Sequence, residues 1–221
     1  MFMLFGVLPI LRSGMSTVHV YIAPVTLQLS NDRFNDLCAQ LQPKEWERVL
    51  RFKRWQDAHA TLYGRLLLAK AAADYGLTLE DVKYTEYAKP YFEGSFDFNI
   101  AHSGKLVVCA FSNTTRVGVD VEAIRLINVN DFNSVFTSGE LASINDPVAF
   151  FTTWTRKEAI IKADGSGLNL ELDKIDTMAD SVVLNGTTWH LKTIHSDREH
   201  IMSICSDKQD FEIVIERVGF T

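Results

Sequence analysis

The sequence predicts an α+β fold made of two similar halves that meet near residue 117. The chain has 221 residues and is 47% hydrophobic, enough to build a sizeable core in one large domain or two small ones. No short repeat, low-complexity run or linker divides it. Helical patterns are followed by strand-like patterns in each half. We therefore expect an N-terminal subdomain at 15–117 and a C-terminal subdomain at 118–221.

The first half opens with a strand and continues with helices. STVHVYIAPV alternates apolar and polar residues, as a strand does. DRFNDLCAQL and PKEWERVLRF predict two helices, the second with Pro43 in its opening turn. The strongest helical pattern is WQDAHATLYGRLLLAKAAADYG, which ends at Gly76. After a turn with Pro90 and Gly94, FDFNIAHSGKLVVCAFS predicts two strands that meet around 102–105.

The second half repeats this mixture of elements. RVGVDVEAI predicts a strand, and GELASI and AFFTTWTRKEAIIKADG predict helices. The remaining patterns, VVLNGTTWHLKTI, HIMSICSD and FEIVIERV, alternate as strands do. This part of the chain therefore ends in a run of strands.

The N-terminal segment at 1–14 does not match the rest of the chain. It is apolar, but no basic residue precedes its apolar run, and that run is too short to span a bilayer. Met15 stands directly before the first predicted strand. We therefore expect the fold to begin near Thr17 and treat 1–14 as an appendage or a mis-assigned start.

Net charge and cysteine content exclude several classes of function. The formal charge of −6 argues against a general binder of nucleic acid or anionic membranes, because such proteins need a basic surface. Cys38, Cys109 and Cys205 are isolated and lack ligand-like spacing, which argues against a disulfide framework or a structural zinc site. We expect a cytoplasmic protein with reduced thiols.

Two acids alternate with valines in the strand VGVDVE. Side chains alternate along a strand, so Asp120 and Glu122 share one face, with Cα atoms roughly 6.5–7 Å apart, while Val119 and Val121 face the other way. Two carboxylates in this arrangement can hold one cation between them. A solvated acidic face on an edge strand explains the same pattern.

A third acid lies in the helical segment TWTRKEAIIKADG. Trp154, Glu158 and Lys162 are four residues apart and share one helix face. An ordinary surface pair of Glu158 and Lys162 would explain this spacing. If Glu158 instead faces the two strand acids, three carboxylates converge, and their pKa values rise unless a cation neutralises them. Hard oxygen ligands favour Mg²⁺, and Lys162 would then reach a phosphate oxygen.

Basic and polar residues elsewhere could complete a phosphate site. Most helical lysines and arginines are simply solvated, so each of them also has a structural interpretation. For His102, in a predicted turn between strands, the residues alone favour a local hydrogen bond over catalysis or ligand contact. The candidate cations are Lys44, Arg48, Arg51, Lys53, Arg54, Arg65 and Lys89.

Four motifs in this order resemble the 4′-phosphopantetheinyl transferases. They are RFKRWQDAHATLYGRLLL, KPYFEGSFDFNIAHSG, VGVDVE and WTRKEAIIKADGSGL. The resemblance is to the larger, single-chain class that primes carrier proteins of nonribosomal peptide, polyketide and fatty acid synthesis. It runs from about Thr17 to Leu170 and is weaker in the C-terminal strands. It implies two subdomains related by a pseudo-twofold axis, with a coenzyme A cleft between them.

The resemblance also implies a reaction and a metal. A carrier-protein serine attacks the β-phosphate of coenzyme A, which transfers 4′-phosphopantetheine and releases adenosine 3′,5′-bisphosphate. Residues matching Asp120, Glu122 and Glu158 hold Mg²⁺, for which Mn²⁺ can substitute. Glu158 would be the base, and Asp120 and Lys162 would complete the catalytic set. The chemistry agrees with the residues, since a poor nucleophile and an anionic pyrophosphate need alignment, charge neutralisation and proton removal.

The implied coenzyme A contacts fall on five positions. Residues matching Lys89, His102 and Lys162 contact its phosphates, and those matching Arg48 and Thr61 bind its 3′-phosphate end. The implied partners are coenzyme A and acyl or peptidyl carrier domains, with no role for nucleic acid or a membrane. We expect the protein to be a monomer.

The chain departs from the family pattern at three positions. Ala101 stands where a serine commonly touches coenzyme A, Glu45 where some relatives have lysine, and Ala88 where glycine commonly precedes KP. Two other functions remain compatible with the residues. A binding module would hold coenzyme A or a nucleotide without transfer, and a Mg²⁺-dependent phosphohydrolase would use water as nucleophile. The intact set of acids and Lys162 argues against the pure binder.

Overall fold

The computed structural model describes residues 15–167 and 170–220 and has the predicted α+β architecture. The segment 1–14 lies outside the described residues, and the first strand begins at Ser16, as expected from the sequence. None of the helices in the described part is long and apolar enough to cross a membrane.

Ten strands and five α-helices are found in the described residues. The strands are β1 Ser16–Pro24, β2 Lys83–Tyr84, β3 Pro90–Tyr91, β4 Asp97–Ser103, β5 Leu106–Ser112, β6 Val117–Ala123, β7 Ser181–Leu184, β8 Thr187–His195, β9 His200–Ser206 and β10 Phe211–Arg217. The helices are α1 Asn31–Cys38, α2 Pro43–Leu50, α3 Trp55–Ala73, α4 Ser138–Ser143 and α5 Pro147–Asp164.

The strands form two four-stranded sheets and one small hairpin. The first sheet has the order β10-β1-β5-β4, the second has the order β6-β9-β8-β7, and β2 pairs with β3. All neighbouring strands are antiparallel except β1 and β10, which run parallel with Ser16 opposite Phe211. The last strand therefore returns to the sheet of the first half. A division into two contiguous segments at residue 117 does not describe β10, and that boundary remains a prediction.

The sheets pack face to face, and α3 and α5 cover their outer faces. Val20 of β1 and Val119 of β6 belong to one apolar cluster between the sheets. Leu67 of α3 packs with the other face of the first sheet, and Ile160 of α5 packs with Trp189 on the outer face of the second sheet. Alternation along each strand thus divides its side chains between the inter-sheet core and a helix.

Local signals at its ends fix the extent of α5. The Asp146 side chain accepts a hydrogen bond from the backbone N–H of Ala149 at 2.7 Å, and Pro147 occupies the first turn. Gly165 ends the helix with a φ of 82°, a left-handed conformation that favours glycine. The helix therefore begins two residues before the predicted segment AFFTTWTRKEAIIKADG and ends at the glycine that closes this segment.

Gly118 allows α5 to lie unusually close to β6. A Cβ atom at this position would be 2.0 Å from the Ala159 carbonyl oxygen and 2.7 Å from the Ala163 Cβ. Such distances do not occur between non-bonded atoms, so a side chain would force the helix away from the strand. The glycine of VGVDVE is therefore required by packing.

We expect Gly118→Ala to lower the free energy of unfolding by about 3 kcal/mol or more, because its methyl group overlaps helix backbone that cannot move locally. Urea unfolding of the two proteins measures this. The control is Gly219→Ala, where a Cβ would meet no atom within 4 Å. Equal stability of wild type and Gly118→Ala would show that α5 can shift without loss.

Candidate active site

The acids of β6 face α5, as the strand pattern predicts. Val119 and Val121 lie in the core between the sheets. Gly118 on the opposite face contacts α5, and side chains two and four residues later must lie on that same face. Asp120 and Glu122 therefore point toward the helix that carries Glu158 and Lys162.

Asp120 and Lys162 form a direct ion pair between strand and helix. Lys162 Nζ donates to Asp120 Oδ1 at 2.6 Å, and the Asp120 side chain is only 7% exposed. Burial raises the pKa of Asp120 to about 7; Lys162 lowers it, and the charges of Glu122 and Glu158 raise it further. Its second oxygen, Oδ2, is buried without a hydrogen-bond partner among the described residues. A buried carboxylate oxygen without a partner is unfavourable, so Asp120 Oδ2 needs a cation or a hydrogen-bond donor.

Glu122 is held by Ser103, the last residue of β4, next to the turn that follows this strand. Ser103 Oγ donates to Glu122 Oε2 at 2.6 Å and accepts from the Ala123 backbone N–H at 3.1 Å. Gly104, with a φ of 57°, makes this close approach possible, since a Cβ there would be 2.9 Å from His200 Nε2. The HSGK turn therefore packs against the edge of β6 and orients one of the acids.

Glu158 is half-buried on α5, and its electrostatic environment includes the other acids. Burial raises the pKa of Glu158, with Lys162 opposing the rise and Glu122 adding to it. A raised pKa and partial burial make Glu158 a stronger base than a fully solvated glutamate. The sequence-based interpretation of Glu158 as part of a solvated surface pair does not fit this environment.

The carboxylates have the chemistry of a site for a divalent cation. The unpartnered Oδ2 of Asp120 and the neighbouring acids are hard oxygen donors. Across the ranges 15–167 and 170–220, however, no three acidic, histidine or cysteine side chains already form a cluster that could hold a metal ion. Lys162 contacts Asp120, while Ser103 and Arg125 contact Glu122. Assignment of Mg²⁺ to Asp120, Glu122 and Glu158 therefore remains a proposal.

Lys157, directly before Glu158, has a structural role. Its side chain is 1% exposed and pairs with Glu140, which is 0% exposed, at 2.8 Å. Its ammonium also donates to the carbonyl of Leu172 at 2.8 Å and to that of Ile175. Consecutive helical residues are about 100° apart around the axis, so anchoring Lys157 in the interior sets the direction of Glu158.

A cavity of about 430 Å³ lies beside the acids. Lys162 connects the two, because it lines the cavity and binds Asp120. Thr61, Lys89, His102 and Lys162 all lie in the cavity wall, so the structure brings together four of the five predicted coenzyme A residues. The other lining residues are Ala60, Gly64, Arg65, Tyr87, Ala88, Pro90, Phe98, Asn99, Ile100, Ile161, Gly165 and Gly167.

Arg48 is the predicted residue that does not line this cavity. It donates to the Tyr84 hydroxyl, its guanidinium lies 5.1 Å from the centroid of the Tyr84 ring, and its Nη1 is 3.8 Å from Glu45 Oε1. Arg48 thus belongs to a charged cluster with Glu45 and lies outside the cavity wall. A role in ligand binding stays a prediction for this residue.

The environments of Lys89 and His102 are partly desolvated. Lys89 Nζ donates to the Ala163 carbonyl at 2.6 Å, and burial lowers the pKa of Lys89. Burial and the nearby Lys162 charge lower the pKa of His102. His102 is therefore mainly neutral at pH 7, so it can act as a hydrogen-bond donor or acceptor in this wall.

Two further residues of the cavity wall lie outside the five coenzyme A positions that the resemblance implies. Arg65 lies one helical turn after Thr61, and this spacing of four places both on the same face of α3. Asn99 is 9% exposed, and its Oδ1 has no hydrogen-bond partner among the described residues. Arg65 is one of the candidate cations named from the sequence, whereas nothing in the local sequence distinguishes Asn99 from a structural residue.

The structure explains one departure from the family pattern and clarifies another. Ala88 has a φ of 60°, a left-handed conformation in which glycine is less strained than alanine. Ala101 is 4% exposed and packs in the core between the sheets, on the face of β4 opposite His102.

Comparison with known proteins agrees with this arrangement. A family model described as the 4′-phosphopantetheinyl transferase superfamily matches residues 116–205. A second model, described as 4′-phosphopantetheinyl transferase, N-terminal, matches residues 28–114. Together the two models span the strands and helices that carry the site.

Curated relatives extend the similarity over most of the chain. The 4′-phosphopantetheinyl transferase Sfp of Bacillus subtilis is 30% identical over 219 residues, which covers 91% of this chain and 96% of the relative. The L-aminoadipate-semialdehyde dehydrogenase-phosphopantetheinyl transferase of Xenopus laevis is 30% identical and covers 79% of this chain and 71% of the relative. The chain belongs to the 4′-phosphopantetheinyl transferase superfamily.

We expect Lys157→Met to lower the free energy of unfolding by about 3–5 kcal/mol, because it leaves the buried Glu140 carboxylate without its partner. The matched control is Lys174→Met, which breaks an exposed pair with Glu171 and should leave the unfolding midpoint nearly unchanged. Urea unfolding of both variants provides the comparison. Equal effects would mean that burial of the Lys157 pair is unimportant for stability.

Proposed function

We propose that the chain transfers 4′-phosphopantetheine from coenzyme A to a serine of an acyl or peptidyl carrier protein, with Asp120, Glu122 and Glu158 as Mg²⁺ ligands. As a member of its superfamily, the chain is a 4′-phosphopantetheinyl transferase. The observation that supports the proposed site most strongly is Lys162, which joins the acids to a cavity lined by cations.

The cavity suits the nucleotide part of coenzyme A. Its wall combines apolar surface from Phe98 and Ile100 with the cations Lys89 and Lys162. Apolar walls with a few placed polar groups are typical of cofactor sites. Thr61 and His102 add hydrogen-bonding groups in the same wall. The phosphates are expected at the end of the cavity nearest the acids, where Lys162 lies.

Mg²⁺ or Mn²⁺, held by the three acids, would neutralise pyrophosphate charge and polarise the phosphorus–oxygen bond. Asp120 is the central ligand in this proposal, because its buried Oδ2 has no partner among the described residues. Ser103 and Arg125 both contact the Glu122 carboxylate and so restrict its orientation.

Glu158 accepts the proton of the carrier serine. The serine oxygen then bonds to the β-phosphorus, and the bond from that phosphorus to the oxygen it shares with the α-phosphorus breaks. Adenosine 3′,5′-bisphosphate leaves with this oxygen, and Lys162 can donate a hydrogen bond to the departing phosphate. The phosphopantetheine arm remains on the serine as a phosphodiester.

Mass spectrometry separates this function from the two alternatives. The protein is incubated with coenzyme A, Mg²⁺ and an apo carrier domain. Transfer adds the arm to the carrier, hydrolysis consumes coenzyme A without labelling the carrier, and simple binding does neither. A panel of acyl and peptidyl carrier domains in the same assay would identify the preferred partner.

Transfer should stop in excess chelator and return with Mg²⁺, and Asp120→Ala should lose nearly all turnover, since a central ligand is removed. Equilibrium binding of Mn²⁺ should weaken in the same variant. Asp210→Ala, at an exposed position, is the control for loss of one carboxylate. Thermal unfolding checks that Asp120→Ala is folded. Full transfer by the wild type without divalent metal would refute the metal assignment.

Glu158→Gln keeps the size and one oxygen of the side chain but cannot accept the serine proton. We expect it to slow transfer at least about a hundredfold while coenzyme A binding stays within a few-fold. Single-turnover transfer at saturating coenzyme A and Mg²⁺ measures the chemical step. The control is Glu171→Gln, whose parent side chain is 70% exposed. Transfer by Glu158→Gln within about tenfold of wild type would assign the base to another group.

A further inference from the structure

A cluster of three charges joins α2 to α3 beside the cavity. The Glu45 side chain is 3% exposed, with Arg65 Nε at 2.9 Å from its Oε2 and Arg48 Nη1 at 3.8 Å from its Oε1. A buried carboxylate is costly unless it is paired, which explains why two guanidinium groups approach it. Two cations and one anion leave the cluster with a net positive charge, which can attract an anionic ligand.

Arg65 is the member of this cluster that lines the cavity. Its side chain is 16% exposed and contacts Glu45 through Nε. Because Glu45 is buried and lies on another helix, this ion pair holds the guanidinium beside α2, although Glu45 Oε2 accepts no hydrogen bond of good geometry among the described residues. The planar group also carries two Nη nitrogens, which can bind a phosphate in the bidentate manner typical of arginine.

Coenzyme A carries two separate anionic groups, and each needs its own cations. The pyrophosphate contains the reacting phosphorus, so it must lie near Glu158 and Lys162. The 3′-phosphate is attached to the ribose, away from the pyrophosphate. The Lys89 ammonium donates a hydrogen bond to the Ala163 carbonyl, so it is held by α5, the helix that carries Lys162. Arg65 lies on α3 instead, which makes it the candidate for the second group.

We propose that Arg65 binds the 3′-phosphate of coenzyme A, that Glu45 positions it, and that Arg65 thereby sets the preference for coenzyme A over 3′-dephospho-coenzyme A. This inference rests on the proposed function and names one specificity-determining residue for it. It also gives Glu45 a role: the carboxylate at this position holds a cation on the neighbouring helix.

The test compares two donors that differ only in the 3′-phosphate. For Arg65→Gln, kcat/KM with coenzyme A should fall roughly 10- to 100-fold, the loss expected for a charge-assisted hydrogen bond. The value with 3′-dephospho-coenzyme A should change less than about threefold, since that donor lacks the group that Arg65 contacts. Lys70→Gln removes one exposed cation from the same helix, outside the cavity wall, and should leave the ratio of the two values unchanged.

Direct binding provides a second readout that does not require transfer. Calorimetry should show that Arg65→Gln weakens binding of adenosine 3′,5′-bisphosphate far more than binding of adenosine 5′-monophosphate. If the single variant fails to fold because Glu45 loses its partner, the double variant Arg65→Gln with Glu45→Gln replaces the charged pair by a neutral one. The assignment of Arg65 would be overturned if Arg65→Gln lowered kcat/KM equally for the two donors or weakened binding of the two nucleotides equally. It would also be overturned if the variant changed neither kcat/KM nor nucleotide binding.

The two proposals fail in different ways. Wild-type protein that labels no carrier with either donor would overturn the proposed transfer. Calorimetry would still decide the assignment of Arg65, because it needs neither a carrier nor turnover. A lower kcat/KM with coenzyme A alone, together with weaker binding of adenosine 3′,5′-bisphosphate alone, would support the assignment.

Discussion

The close contact between β6 and α5 at Gly118 is the constraint on which the site depends. No other residue fits there, because a Cβ would lie 2.0 Å from the Ala159 carbonyl oxygen. The strand supplies Asp120 and Glu122, and the helix supplies Lys162, which reaches Asp120 at 2.6 Å. A side chain at position 118 would push the helix outward and so change the distance between the groups that the strand and the helix supply. A single glycine therefore couples packing in the second sheet to the chemistry of the site.

Buried charge pairs then fix the orientation of the elements that this contact brings together. Lys157 and Glu140 hold α5 in one rotation about its axis, and Arg65 is held by Glu45 in the same way on α3. Such pairs are a poor source of stability, because desolvation offsets their attraction, but removal of one partner is costly. In this protein they place groups before a ligand binds. The cations of the cavity wall are thus preorganised, which reduces the entropy cost of binding an anionic substrate.

The last strand, β10, pairs with β1 and so attaches the end of the C-terminal half to the first sheet. Phe211 begins this strand opposite Ser16 and contributes to the core between the sheets. The end of the chain therefore stabilises the sheet that carries β4 and the HSGK turn, while the rest of the C-terminal half builds the second sheet. The two halves share one core, and the site lies where elements of both halves meet.

The sequence by itself determined most of the secondary structure, because local periodicity and end signals such as Pro147 and Gly165 act within one element. It also determined that Asp120 and Glu122 share a face, since alternation along a strand is a local property. It did not determine that β10 pairs with β1, that Lys157 is buried, or that Arg65 lines the cavity while Arg48 lies outside it. Those outcomes depend on which distant surfaces meet. The same lysine or arginine can be solvated, paired with a buried acid or aimed into a cavity, and only the packing of neighbouring elements decides among them.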